Sequence, residues 1–338
     1  MLVKTLGIDL AKNIFQLHGI DIDGKEVLKK RLTRSQLIPF ITNLPPCLIG
    51  MEACGGAHYW ARTFKALGHE VRLMSPQHVK PYVKANKNDA NDAKGICEAV
   101  SRPSMTFISH KSLEQQDIQC LHRVRNNIIQ ERTALMNQIR GLLTEYGFVL
   151  PQGLHALRKG LIEIIGENDS KLTPFMKELL TELYRHLDEK NKNLEIFDKK
   201  ILLLSRQSET CHRLMKVEGI GPIIATALIA AVGDAKAFKN GRHMAAWLGL
   251  VPKQSSSGGK QKLLGISKRG DRYLRTLLIH GARSVVKVSN FKKDPRSQWI
   301  NELVQRRGKF KTYVAVANKN ARILWALMAQ KIEYRSAI

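Results

Sequence analysis

Over the first 75 residues apolar positions come in short runs separated by turn signals. Leu2–Ile8 reads as a strand ending at Asp9. Ile14–Asp21 and Glu26–Leu32 read as two more, joined across the hairpin signal Asp23-Gly24. Cys47–Met51 has the continuous apolar character of a short buried strand, with Glu52 at its end. Tyr59–Leu67 has helical spacing and stops at Gly68, and Glu70–Met74 is a further strand closed by Ser75-Pro76. Three antiparallel strands followed by alternating helix and strand predict an α/β domain, a mixed sheet with helices around it.

The period then changes. Leu121, Val124, Ile128, Leu135, Ile139, Leu142 and Tyr146 follow 3/4/7 spacing, as do Met176, Leu180, Leu183, Leu187, Leu194, Phe197, Ile201 and Leu204. These are two heptad-like helices. Pro151, Gly153, Gly160, Gly166 and Pro174 between them predict a helical excursion with turns. Such seams fit an α-helical coiled-coil arm or an ordinary hairpin packed on its own domain.

From residue 211 the pattern is mostly α-helical. Val217-Glu218-Gly219-Ile220-Gly221-Pro222 before the apolar run Ile223–Val232 has the form of a helix-hairpin-helix element. There Gly219 and Gly221 let a backbone approach a phosphate, and the free N–H groups of the next helix can bind it. After Ala245–Pro252 comes a loop rich in Ser, Gly and Lys, residues 253–265, and helices resume over Tyr273–Val288 and Thr312–Ala329. The chain thus divides into residues 1–110, 111–210 and 211–338.

Charge sharpens this division. The 338 residues carry 55 Lys+Arg against 29 Asp+Glu, a net charge of +26. Residues 1–110 hold 15 basic and 9 acidic side chains, residues 111–210 hold 15 and 14, and residues 211–338 hold 25 and 6. An excess of +19 in the last segment points to a polyphosphate partner, a nucleic acid. The longest apolar stretch, Ile223–Gly233, is far shorter than the roughly 20 residues of a membrane span. The N-terminus lacks a secretory pattern. Five cysteines without a CxxC pair fit reduced thiols rather than zinc or disulfides, so a cytoplasmic protein without membrane association is expected.

Candidate chemistry lies in four acids. Asp9 and Glu52 end two strands, while Asp89 and Asp92 open a helix three residues apart, on one face. Brought together, they would form an all-oxygen site suited to Mg²⁺ or Mn²⁺ and to phosphoryl transfer. The plainer alternative is a solvated strand-end acid beside a helix start whose acids compensate the dipole.

Gly7-Ile8-Asp9-Leu10-Ala11-Lys12, Met51-Glu52-Ala53 with Gly55, and Asn88-Asp89-x-x-Asp92-Ala93 resemble the Asp-Glu-Asp-Asp pattern of a transposase family of bacterial insertion sequences, the insertion-sequence 110 type. The resemblance continues in order through Glu218-Gly219-Ile220-Gly221, Leu248-Gly249-Leu250-x-Pro252, Ser257-Gly258 and Ile266-Ser267-Lys268-x-Gly270. It implies a RuvC-like (RNase H-type) N-terminal domain in which Asp9, Glu52, Asp89 and Asp92 bind the metal. It also implies a catalytic serine in the C-terminal domain. Counting forward from Pro252 to a Ser-Gly pair selects Ser257; counting back from Ile266-Ser267-Lys268 selects Ser256. The Gly after Ser257 favours that position by fixing backbone geometry, although such a loop also reads as a flexible linker. Lys253, Lys260, Lys262, Lys268, Arg269, Arg272 and Arg275 are candidate phosphate contacts around it.

The resemblance further implies a homo-oligomer, dimer or tetramer, with composite sites, double-stranded DNA as donor and target, and a structured non-coding guide RNA that pairs with both. It places the protein at the bacterial nucleoid during activity. The sequence shows no C2H2 finger, which is consistent with delegated readout. Three rivals stand beside this reading. A RuvC-like junction-resolving nuclease would use water as nucleophile. An actin-like ATPase or sugar kinase would share Gly-Ile-Asp-x-Ala but need further Gly-rich phosphate loops. A non-catalytic scaffold would not need the acids.

Overall fold

The computed structural model describes residues 2–83, 88–166 and 171–335. By packing, the chain divides into two compact units, Met1–Leu113 and Glu114–Ile338.

The first unit runs β1 (Thr5–Asp9), β2 (Ile14–Ile20), β3 (Glu26–Thr33), α1 (Arg34–Thr42), β4 (Leu48–Glu52), α2 (Ala57–Ala66), β5 (Glu70–Met74), α3 (Pro76–Val79), α4 (Asp89–Val100) and β6 (Phe107–Ile108). Its sheet has the order β3-β2-β1-β4-β5-β6. β1, β2 and β3 form an antiparallel meander, β1, β4 and β5 are parallel, and β6 closes the edge antiparallel. This mixed sheet is the one the residue pattern predicts, and it is consistent with a RuvC-like domain. Leu6 and Ile8 of β1 share a core with Phe15, Leu37, Ile41, Met51, Trp60 and Phe64, beneath α1 and α2. α4 covers the opposite face, packing on β1, β2 and β4. The one-turn α3 after Ser75 is not predicted, and neither is α1. Pro39 inside it speaks against a helix, but a capping box, in which the Thr33 N–H donates to Gln36 Oε1 at 3.0 Å, starts it.

The second unit contains α5 (Leu113–Glu145), α6 (Leu154–Gly166), α7 (Pro174–Gln207), α8 (Glu209–Met215), α9 (Pro222–Val232), α10 (Gly241–Trp247), β7 (Pro252–Ser257), β8 (Lys260–Ile266), α11 (Arg272–Val288), α12 (Pro295–Arg307) and α13 (Lys309–Ala329). α5 and α7 lie antiparallel, tied by Lys190–Glu131 and Arg125–Asp198 ion pairs and by Arg132 donating to Asn191 at 3.0 Å. α6, the excursion, adds Leu157, Leu161 and Ile164 to a seam of Leu135, Ile139, Leu143, Met176, Leu180 and Leu187. Val124 lies off this seam and is exposed. At the other end of the hairpin, buried His122 bridges Thr226 Oγ1 on α9 (2.9 Å) and the Tyr273 hydroxyl on α11 (3.0 Å). α8–α13 share one core that includes Leu214, Leu228, Met244, Leu278, Ile300, Val316 and Leu324.

The loop expected over residues 253–265 is instead an antiparallel ribbon, β7–β8. It escaped the pattern because every residue from Pro252 to Gly265 is exposed, so neither face carries an apolar alternation. Its turn is made by Gly258 (φ 53°) and Gly259 (φ 76°), two successive left-handed residues that suit a two-residue hairpin.

Candidate active site

Side chains alternate across a strand, so Gly7 and Asp9 share one face of β1, and Gly50 and Glu52 share one face of β4. That face is the one under α4. A Cβ on Gly7 would lie 2.3 Å from the Ala93 carbonyl oxygen and 2.5 Å from Cys97 N, and one on Gly50 would lie 2.7 Å from Val100 Cβ. The two glycines therefore let α4 press against the sheet, and the acids two residues beyond them lie at the edge of that contact. β1 and β4 are paired in parallel through Ile8 and Met51, which sets Asp9 and Glu52 side by side at the strand ends.

α4 brings its first turn to the same place. Asn88 caps it, accepting from Asn91 N at 2.8 Å. Because Asn88 satisfies the cap, Asp89 and Asp92 are not consumed by it. Carboxylate oxygens of Asp9, Asp89 and Asp92 all lie within 4.8 Å of one another, with Asp9 and Asp92 half-buried and Asp89 exposed. Glu52, half-buried at the neighbouring strand end, is not one of this close trio. The Cys54 thiol is pushed up by burial and then by the Glu52 and Asp9 carboxylates, so both acids act on the same locality. Three hard oxygen donors so close repel one another unless a cation joins them, and the donor set fits Mg²⁺ or Mn²⁺. The repeated pattern of a glycine two residues before a strand-end acid, Gly7-x-Asp9 and Gly50-x-Glu52, is a sequence signal for this arrangement that the acids alone do not provide.

The ribbon carries the serines. Ser257 pairs with Lys260, Ser256 with Gln261 and Ser255 with Lys262. By alternation Ser255, Ser257, Lys260 and Lys262 share one face, while Ser256 is on the other, where its Oγ accepts from Gln254 Nε2 at 3.0 Å. Lys253, Lys268, Arg269 and Arg272 are exposed. Arg275 is buried, and its guanidinium donates to the Leu248 and Arg269 carbonyls at 3.2 and 3.1 Å, so it ties together the two turns at the ribbon's foot. Those turns meet backbone to backbone: a Cβ on Gly249 would lie 2.1 Å from Arg269 O, and one on Gly270 would lie 1.9 Å from Trp247 O. Gly219 (φ 81°) likewise serves close packing, since a Cβ there would meet Gly281 O at 2.6 Å, whereas Gly221 caps α9 with open space beside it. No described helix is long and apolar enough to cross a membrane.

A transposase family profile, that of the DEDD transposases of IS110, matches residues 6–148, and one described as "Transposase IS116/IS110/IS902 family" matches residues 211–297. A "Probable family 20 transposase" of Pseudomonas aeruginosa is 50% identical over 99% of both chains. The "Transposase for insertion sequence element IS1111A" of Coxiella burnetii is 45% identical over 98% of this chain and 92% of its own. That for IS1328 of Yersinia enterocolitica is 41% identical over 97% of each. With both parts matched in order and full-length relatives at such identity, the chain belongs to the IS110/IS116 family of insertion-sequence transposases, enzymes of DNA recombination.

Proposed function

We propose that this transposase cleaves and rejoins DNA strands with Asp9, Glu52, Asp89 and Asp92 as ligands to Mg²⁺ or Mn²⁺ and Ser257 as nucleophile. The observation that carries the reading is the convergence of Asp9, Asp89 and Asp92. A divalent ion held there would polarise a phosphodiester. The Ser257 Oγ attacks phosphorus, the bond to the leaving strand's oxygen breaks, and that oxygen takes the proton as a hydroxyl. Reverse attack by a strand hydroxyl restores the diester and frees the serine, so the bond energy is kept. Ser257 is preferred to Ser256 because Lys260 and Lys262 share its face, where ammonium groups can hold flanking phosphates.

In this reading residues 1–110 form the metal-dependent part, 111–210 an arm through which protomers of a dimer or tetramer meet, and 211–338 the basic DNA-binding part. An element-encoded guide RNA chooses donor and target. Recombination that survives deletion of the element's non-coding flank would remove the guide from the scheme. The chemistry is tested with a trapped, labelled substrate on denaturing gels, followed by peptide mapping. Ser257→Ala should lose the covalent adduct and retain DNA binding, and Ser255→Ala and Ser256→Ala should keep both. An adduct on Ser256 would move the nucleophile to the other ribbon face. Cleavage with no adduct on any serine would favour a resolvase-like use of water.

A further inference from the structure

An open groove of about 1050 Å³ lies at the foot of the ribbon, where Pro252 and Ile266 begin and end the two strands. Arg242, Lys311, Lys319 and Arg322 line it, and no acidic residue does. All four cations are exposed, and none has an ion-pair partner among the described residues. Five of the six acids of residues 211–338 are engaged elsewhere, and the sixth, Glu302 on α12, is exposed outside the groove lining. Asp234, Asp271 and Asp294 cap helical turns, while Glu218 and Glu333 pair with Lys292 and Lys216.

One of these cations is also held in place. The Lys319 ammonium sits 4.3 Å from the centre of the Trp299 ring. Partial burial of its stem, and then the neighbouring charges of Arg296 and Arg322, press its pKa down. Lys311 and Arg322 are separated by about 16 Å along α13 at its ~1.5 Å rise per residue. A duplex strand advances about 3.4 Å per phosphate along its axis, so the row spans several consecutive phosphates.

We propose that this groove carries the phosphodiester backbone of duplex DNA beside the ribbon, a contact surface separate from the ribbon's own lysines. The choice of DNA follows from the enzyme's substrate, and the proposal rests on the reading that residues 211–338 bind nucleic acid, though not on the identity of the nucleophile.

The test uses the full chain with Arg242→Gln, Lys311→Gln, Lys319→Gln and Arg322→Gln, singly and together, and fluorescence anisotropy on a labelled DNA duplex across a salt series. Each neutralised contact should lower the log–log salt slope by about 0.9, so the combined variant should lose about 3.6 with an unchanged thermal melt. If the combined variant melts early, the four single variants still report, since each removes one exposed charge. Lys199→Gln with Lys200→Gln on α7 is the control for the general field. A parental slope in the combined variant, an equal fall in the control, or a fall on an RNA duplex but not on DNA would each overturn the groove. A flat slope in the parent protein would instead overturn the wider nucleic-acid reading as well.

Discussion

Gly7→Ala tests the link between packing and chemistry most directly. The new Cβ would lie 2.3 Å from Ala93 O, 2.5 Å from Cys97 N and 2.7 Å from Cys97 Cβ, where ordinary contact begins at 3.4 Å. The first two partners are α4 backbone, so no rotamer change relieves them and α4 must retreat by about 1 Å. Overpacking of this kind costs about 1–3 kcal/mol. At roughly 4 °C per kcal/mol for a unit of this size, the first unit should melt about 4–12 °C lower. Because α4 carries Asp89 and Asp92, the same retreat opens the carboxylate trio, and misplacement by about 1 Å lowers rate by about 10²-fold. Differential scanning fluorimetry and cleavage of a labelled duplex read the two effects. Gly50→Ala is the comparison. It presses only on the Val100 side chain at the far end of α4, so stability should fall with a smaller loss of cleavage. Adding Cys97→Gly to Gly7→Ala should not restore activity, since the backbone clash remains. Parental melting and cleavage in Gly7→Ala, or rescue by Cys97→Gly, would refute the reasoning.

Asp9→Asn, Glu52→Gln, Asp89→Asn and Asp92→Asn should each abolish strand cleavage with little change in circular dichroism, and normal recombination by any two would dissolve the proposed site. His122 gives a pH dependence. Burial first and Arg125 second push its pKa down to about 4, below its value of about 6.5 in the unfolded chain. The unfolded state therefore binds the proton first as pH falls. Stability present above about pH 6.5 should drain away toward pH 4, by about 3 kcal/mol in all. His122→Gln should flatten that part of the stability–pH curve, measured by denaturant unfolding; an unchanged slope would mean another group titrates there.

The N-terminal sheet could be read from the chain because its strands alternate or run apolar between Gly, Pro and Asp turns, and Glu70–Met74 agrees residue for residue. α1 could not, since Pro39 masks the helical period. The ribbon could not either, because a two-stranded element with both faces in water leaves no hydrophobic pattern. The convergence of Asp9 with Asp89 and Asp92 depends on sheet register and on α4 crossing β1, which no local spacing encodes. Arg275 was readable as a surface cation by charge alone, yet it follows buried Leu274 and precedes buried Leu278 by three residues, on the apolar stripe of α11.

The ribbon's foot and tip also form a lever. β7 spans six residues, about 20 Å of reach at ~3.3 Å per residue, with no core of its own to stiffen it. A tilt of about 10° at the base would therefore swing the Ser257 end by about 3.5 Å, more than the tolerance of an in-line attack if Ser257 is the nucleophile proposed above. The aim of the tip is set by Arg275, by the interlocked Gly249 and Gly270, and by Asn318 donating to the Leu250 carbonyl at 3.1 Å. On the proposed reading of Ser257, accuracy at the tip is thus a property of residues at the ribbon's base, and small strains at that pivot are magnified several-fold at the Ser257 end.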